Sequence, residues 1–149
     1  MSSRKETNVP SPTVEGLLGY KLKKTQHALR LKMDEALRTL ELTTPQYAVL
    51  AQLELKPGTS NAALARGAFI TAQAMHGIVS NLEKRGLVER QQDLTHGRIL
   101  CTQLTPKGHK TVAQAHESIR GVEARMLATL SQDHRQLFEK ILLECFDNL

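Results

Sequence analysis

The change in hydrophobic period along the chain constrains its fold more than any other feature of the sequence. From Val14 to Leu82 the apolar residues recur at steps of three and four, which is the period of an α-helix. Between Leu87 and Leu104 the pattern becomes short and compatible with strands, and after Pro106 the helical period returns. The sequence therefore predicts four helices, one β-hairpin and two further helices, with no internal repeat and no second domain.

Caps and helix breakers divide the helical part of the chain into segments. Thr44-Pro45 and Thr105-Pro106 each place a hydroxyl cap before a proline that needs no N–H, so each pair predicts a helix start. Pro57-Gly58 ends the second helix, and Gly86 ends the fourth as a left-handed residue. The remaining helix caps are predicted at Ser60 or Asn61, Thr71 and Ser131.

The first and last helices carry more apolar surface than a single small domain needs. The first is predicted as one helix from Val14 to Leu40 that spans roughly 40 Å, longer than the domain after it. A helix that extends beyond its own domain usually packs against another molecule, and we expect a second copy of this chain. The apolar stripe of the last helix comprises Leu137, Ile141, Leu142, Cys145 and Leu149, with Phe138 and Phe146 alongside.

Composition excludes several classes of protein. The chain of 149 residues has no apolar run near the length of about 20 residues that a membrane span needs, and its polar start resembles no secretory signal. Two cysteines are too few to staple a small secreted fold, so we expect a cytoplasmic protein. The net charge is +5, with Lys and Arg in excess in residues 1–32 and 60–110, which favours a polyanionic partner.

Two short helices joined near Gly67-Ala68 and followed by a basic hairpin form the pattern of a winged helix-turn-helix. The second of these helices fits the major groove of DNA, which is about as wide as a helix with its side chains. A hairpin arginine can then reach the adjacent minor groove. The inward face of this second helix is predicted to carry Met75, Ile78, Val79 and Leu82, which leaves Gln73 on the outward face, free to pair with adenine. The candidate DNA-binding residues are Ser60, Asn61, Thr71, Gln73, His76, Ser80, Lys84, Thr95, His96 and Arg98.

Five segments of the sequence resemble, in their order and spacing, the multiple antibiotic resistance regulator (MarR) family of bacterial winged-helix transcription factors. They are residues 42–50 (LTTPQYAVL), 57–60 (PGTS), 64–65 (LA), 82–90 (LEKRGLVER) and 104–108 (LTPKG). The resemblance implies a mainly α fold with a small β-hairpin wing. Residues 42–105 correspond to its winged helix-turn-helix domain, and residues 13–41 and 106–149 to its helical dimerisation region. Residues 1–12 contain Ser, Asn and two Pro, and this composition predicts a flexible arm.

The resemblance also implies a function. Members of the family bind pseudo-palindromic double-stranded operators as homodimers, usually as repressors, and a small anionic or phenolic effector or an oxidant releases them. Arg98 matches the family's minor-groove arginine. His96 stands where many members carry an aspartate that orients this arginine, and Gly77 stands where a basic or polar side chain is frequent. Base readout is therefore expected to rest on Gln73, His76 and the shape of the DNA.

A candidate effector site is predicted near the junction of the first two helices with the winged domain. The residues that define it are Tyr20, Lys24, His27 and Tyr47, and their cationic, amphipathic character suits an aromatic acid. The alternative is that these residues serve core packing and a solvated lysine face.

A second interpretation is a winged-helix protein-interaction module, or an anti-repressor with weak or no operator binding. The short side chains of Ala72, Ala74 and Gly77 on the fourth helix, together with His96, favour this alternative. Operator binding that depends steeply on salt distinguishes the two interpretations.

Motifs for catalysis and for metal binding are missing from the sequence. It contains no Gly-x-Ser-x-Gly elbow, phosphate-binding glycine loop or dinucleotide fingerprint, so no enzyme activity and no cofactor are expected. No two histidines are spaced as ligand pairs, so no metal site is expected. Cys101 and Cys145 are expected to be buried as small apolar side chains.

Overall fold

The structure is a computed structural model that describes residues 13–92, 95 and 100–149. Its helices are α1 (Leu18–Leu37), α2 (Thr44–Leu55), α3 (Asn61–Ala68), α4 (Ala72–Lys84), α5 (Pro106–Met126) and α6 (Gln132–Asp147). Its strands are β1 (Thr59–Ser60), β2 (Val88–Gln92) and β3 (Leu100–Leu104). The predicted fold class, mainly helical with a small β wing, is confirmed.

The first helix differs from its prediction. It begins at Leu18 and ends at Leu37, and single 3-10 turns flank it at Val14–Gly16 and Arg38–Leu40. Its 20 residues span about 30 Å, less than the roughly 40 Å expected from one continuous helix. The chain turns away because Glu41 adopts a left-handed conformation, with φ of 53°.

Local capping signals set most of the other helix starts. Ser60, Thr71, Thr105 and Ser131 each accept a hydrogen bond from the backbone N–H three residues later. Three of these caps are as the sequence predicted, and for α3 the cap is Ser60 and not the alternative, Asn61. The exception is α2, where Thr43 and Gln46 form a reciprocal capping box. Thr44, the predicted cap, instead donates its hydroxyl and its backbone N–H to the Asp34 carboxylate.

The small sheet contains one more strand than the predicted hairpin. β1 pairs with β3 antiparallel to it, and β3 pairs with β2 in the same way, so the strand order is β1-β3-β2. Val88 lies opposite Leu104, and both side chains are buried. The predicted start of the returning strand at Arg98 and the predicted arm of residues 1–12 lie outside the described residues.

One hydrophobic core joins the winged region to α1 and α5. Met75, Val79 and Leu82 are fully buried in it, which confirms their predicted inward direction, and Ile78 is partly buried. Helix α5 begins tightly against the turn between α4 and β2, where a Cβ at Gly108 would collide with the Leu87 carbonyl oxygen.

Helix α6 leaves this core. Every residue of α6 is exposed except Arg135, which is partly buried. The Arg135 guanidinium donates to the carbonyl oxygens of Leu127 and Leu130, at 3.0 and 3.1 Å. These bonds hold the turn between α5 and α6, while the rest of α6 extends away from the chain. Across the described residues, no helix combines the length and the apolar character needed to cross a bilayer.

Candidate nucleic-acid interface

The outward stripe of α4 is the centre of the candidate interface. We use this name for Gln73, His76, Gly77, Ser80 and Lys84, which lie on one side of the helix because each is three or four residues from another member. All are exposed except Ser80, which is half-buried. Gln73, His76 and Lys84 have no hydrogen-bond partner for their side chains within the described residues, so these polar groups are free to meet a ligand.

The outward stripe is held in place by contacts at the far end of α4. Arg85 donates to the carbonyl oxygens of Glu41 and Leu40, at 2.8 and 3.1 Å. The Gln46 amide donates to Asn81 Oδ1 at 3.0 Å, so α2 also holds α4. Sequence reasoning did not find these contacts of Arg85. Its observed partners lie more than 40 residues earlier, and no local pattern indicates them.

Two helix starts supply further candidate contacts. Ser60 and Asn61 at the start of α3 are half-buried, and the Ser60 hydroxyl accepts from the Ala63 backbone N–H at 3.3 Å. Thr71 at the start of α4 is exposed, and its hydroxyl accepts from the Ala74 N–H at 3.1 Å. Each hydroxyl used as a cap acceptor keeps its own proton, which can be donated to a phosphate oxygen.

The wing is connected to α4 by an ion pair. The Arg90 guanidinium of β2 donates to the Glu83 carboxylate, with Nε at 3.0 Å. This hydrogen bond holds the pKa of Glu83 below its ordinary value and raises the pKa of Arg90. Thr95 is exposed in a turn. The other two candidates in the wing, His96 and Arg98, lie outside the described residues.

The four candidate effector residues lie on α1 and α2, and none of them lines the cavity between α1 and α5. Tyr20, Lys24 and His27 are exposed along α1. Tyr47 of α2 is half-buried, and its hydroxyl lies 2.8 Å from His116 Nδ1. Burial raises the pKa of the Tyr47 phenol above its ordinary value.

The cavity between α1 and α5 has a volume of about 320 Å³. Its lining residues are Thr25, Ala28, Leu29, Lys32, Val122, Arg125 and Met126. Sequence reasoning missed Lys32 and Arg125 because helical spacing alone does not tell which face of α1 meets α5. Lys32 is paired with Glu35 at 2.8 Å, whereas Arg125 forms no ion pair within the described residues.

The cysteines differ from their expected environment. Cys101 in β3 is half-buried, and Cys145 is exposed because α6 packs against so little of its own chain. Within the described part of the chain, no group of three or more His, Cys, Asp or Glu side chains could hold a metal ion.

Comparison with known sequences identifies relatives of the chain. A sequence model described as the MarR family matches residues 40–99. The HTH-type transcriptional repressor Rv2887 of Mycobacterium tuberculosis is 37% identical over 125 residues, which cover 84% of this chain and 90% of the repressor.

Comparison with solved structures gives the same result. A crystal structure of the M. tuberculosis MarR family protein Rv2887 in complex with DNA matches with a TM-score of 0.75 and 34% identity, and covers 87% of this chain and 97% of that one. A structure of the same protein in complex with salicylic acid matches with a TM-score of 0.73 and 36% identity, and covers 87% and 96%.

Proposed function

Because the chain belongs to the MarR family of transcriptional regulators, we propose that it is a homodimeric repressor of a pseudo-palindromic operator. Residues 42–105 contain the contacts with double-stranded DNA, and the dimer contact lies within residues 13–41 and 106–149, on the apolar face of α6. A small aromatic acid binds the protein and releases it from the operator. The observation that carries the proposal is the exposed apolar face of α6, which needs a second chain to cover it.

Helix α6 supports the dimer on energetic grounds. A helix of 16 residues that packs against so little of its own chain is marginal in water, so α6 gains most of its stability from a partner. Its apolar side chains are available for that contact, since Leu137 is 52% exposed and Phe146 is 67% exposed. Leu18 and Leu22 of α1 are exposed as well. A second copy supplies the matching face, because a two-fold interface buries the same patch on both chains.

The same symmetry supports operator binding. Two outward stripes related by a two-fold axis can enter successive major grooves on one side of the duplex, about 34–36 Å apart. Gln73 and His76 then face base edges, and Lys84 faces a phosphate. The complex of Rv2887 with DNA supports this use of the fold.

Selection from a random duplex library tests the operator proposal. The full chain is expected to enrich two inverted half-sites with centres about 10 base pairs apart. Its affinity for the selected duplex is expected to fall at least about tenfold between about 50 and 200 mM salt. Sedimentation at micromolar concentration is expected to give dimers. Single chains that enrich no sequence would contradict the proposal and favour a protein-interaction module.

The cavity between α1 and α5 supports a small aromatic acid as the effector. Its volume of about 320 Å³ suits a single-ring ligand, and Val122 and Met126 provide apolar walls. Arg125 is available for a carboxylate because it has no ion partner in the described residues, and Lys32 adds a second positive charge. The complex of Rv2887 with salicylic acid supports this ligand class.

Thermal shift with salicylate tests the effector. Millimolar salicylate is expected to raise the Tm of the wild type and to displace the selected duplex. Arg125→Ala is expected to lose both effects. Arg120→Ala is the control, since Arg120 is an exposed residue of the same helix that pairs with Glu117 and does not line the cavity. A wild type that salicylate neither stabilises nor displaces from DNA contradicts this part of the proposal.

A further inference from the structure

Gly77 occupies a position where the fold of the chain does not require glycine. It lies inside α4 with an ordinary right-handed backbone, and a Cβ built there meets no atom within 4 Å. At other positions the fold does require glycine: Gly58 and Gly86 have φ of 75° and 72°, and Gly108 has no room for a Cβ. A helix with glycine at an interior position is less stable than the same helix with alanine there. The free protein therefore loses helix stability at Gly77 without gaining a turn or a packing contact.

The surroundings of Gly77 indicate what function could offset this loss of helix stability. It lies at the centre of the outward stripe, one turn after Gln73 and next to His76 along the chain. Both neighbours have exposed, unpartnered polar side chains within the described residues. Ser80, one turn later, is half-buried. The middle of the outward stripe is therefore a shallow, uncovered stretch of helix backbone between longer polar side chains.

We propose that Gly77 is a specificity-determining residue, because its missing side chain lets the backbone of α4 approach the base edges closely. The proposal rests on the proposed function, in which the outward stripe enters the major groove. A methyl group at Gly77 would hold the helix away by about the length of a C–C bond, about 1.5 Å. A hydrogen bond of about 3 Å from Gln73 or His76 does not survive such a displacement. The absence of a side chain at Gly77 therefore determines how deeply α4 enters the groove, and with it whether Gln73 and His76 reach the base edges.

Open space beside a helical glycine is not by itself a sign of DNA contact. Gly19 in α1 and Gly121 in α5 also have no atom within 4 Å of a built Cβ. Gly121 is exposed on α5 near the Glu117–Arg120 ion pair and lies on a different helix from the outward stripe. Gly121 thus provides a matched control. Like Gly77 it lies inside a helix with open space beside it, but it is not part of the outward stripe.

The test is the effect of Gly77→Ala on stability and on DNA binding, measured at one protein concentration. The variant is expected to raise the Tm by about 2–4 °C, because alanine is the better helix former. Its affinity for the duplex selected by the wild type is expected to fall at least about tenfold, while its affinity for a random duplex is unchanged. Gly121→Ala is expected to raise the Tm similarly and to bind the selected duplex like the wild type.

The outcomes separate this inference from the proposed function. If the wild type selects no duplex, both the proposed function and the inference are overturned. If the wild type selects a duplex and Gly77→Ala binds it equally well, the inference alone is overturned. An equal loss of affinity in Gly77→Ala and Gly121→Ala also overturns it, since the loss then follows from helix stiffening and not from the approach to DNA.

Discussion

The hydroxyl of Tyr47 lies 2.8 Å from Nδ1 of His116, and this contact connects α2 with α5. The other ring nitrogen of His116 lies 2.7 Å from the Glu54 carboxylate. A neutral imidazole satisfies both partners when its Nε2–H donates to Glu54 and its Nδ1 accepts the Tyr47 proton. Since α2 belongs to the proposed DNA-binding region and α5 to the proposed dimer region, this network connects the two.

Replacement of Tyr47 by Phe is expected to lower the free energy of unfolding by about 1 kcal/mol, because a part-buried hydrogen bond is lost. The corresponding decrease in Tm is about 2–4 °C, measured by thermal unfolding at fixed protein concentration. Tyr20→Phe is the control, since Tyr20 is exposed on α1 and makes no hydrogen bond through its hydroxyl within the described residues. Equal effects of the two substitutions would contradict the role assigned to Tyr47.

Lys84 and Arg85 are adjacent basic residues with different expected roles. Arg85→Ala leaves the carbonyl oxygens of Leu40 and Glu41 without their donors, so the free energy of unfolding is expected to fall by about 1–3 kcal/mol. Lys84→Ala is expected to change stability by less than about 0.5 kcal/mol but to reduce the salt dependence of DNA binding by about one charge. Chemical denaturation measures the first effect, and DNA binding at several salt concentrations measures the second. The prediction fails if Lys84→Ala lowers stability while Arg85→Ala changes only the salt dependence of binding.

Gln73→Ala is expected to weaken binding to the selected duplex by about 1–3 kcal/mol and to relax base preference at one position in each half-site. Affinity for random duplexes is expected to stay the same, because no phosphate contact is removed. Gln114→Ala on the exposed side of α5 is the control. Binding to a panel of single-base variants of the selected duplex checks this prediction, which fails if Gln73→Ala keeps the full base preference.

Ile141→Glu on α6 is expected to convert dimers into single chains at micromolar concentration, since a charge in the proposed apolar interface stays unpaired. Helix content is expected to fall too, because α6 loses its packing partner. Sedimentation velocity and far-UV circular dichroism measure both. Gln136→Glu on the same helix places its charge one turn before Lys140 and is expected to remain dimeric. A dimeric Ile141→Glu variant would place the interface elsewhere.

The ion pair between Glu83 and Arg90 is expected to make stability depend on pH. The folded pKa of Glu83 lies below its ordinary value of 4.5, so its contribution is present above that pH and is lost as pH falls through the folded pKa. The stability difference between wild type and Glu83→Gln is therefore expected to stay constant near neutrality and to shrink below about pH 4.5. Denaturation midpoints from pH 7 to pH 3 check this, and a difference that grows on acidification is the opposite result.

Local signals predicted the parts of the fold that depend on few neighbours. Ser60, Thr71, Thr105 and Ser131 are caps because a hydroxyl and the N–H three residues later suffice for the contact. The burial of Met75, Val79 and Leu82 followed from helical periodicity in the same way. For the winged region, these short-range rules were enough to give the order of the helices and the direction of α4.

Contacts between distant segments were outside the reach of such signals. The end of α1 at Leu37 depends on the turn that Arg85 supports from 45 residues later along the chain. Strand β1 has only two residues, which is too short for a period. The cavity residues Lys32 and Arg125 are neighbours only because α1 packs against α5. Each of these features is set by tertiary packing, which a pattern along one segment does not contain.

The two bonds from Arg135 to the turn after α5 accompany an α6 that lies away from its own core, so the proposed dimer contact and the proposed DNA contact use different parts of the chain. A chain altered only in α4 is therefore expected to form the proposed dimer with an intact chain. Such a mixed dimer has one intact DNA-binding region, and its affinity for an operator with two half-sites is expected to be lost. Mutant alleles that alter α4 and spare α6 are thus expected to be dominant-negative in cells that also carry the normal gene.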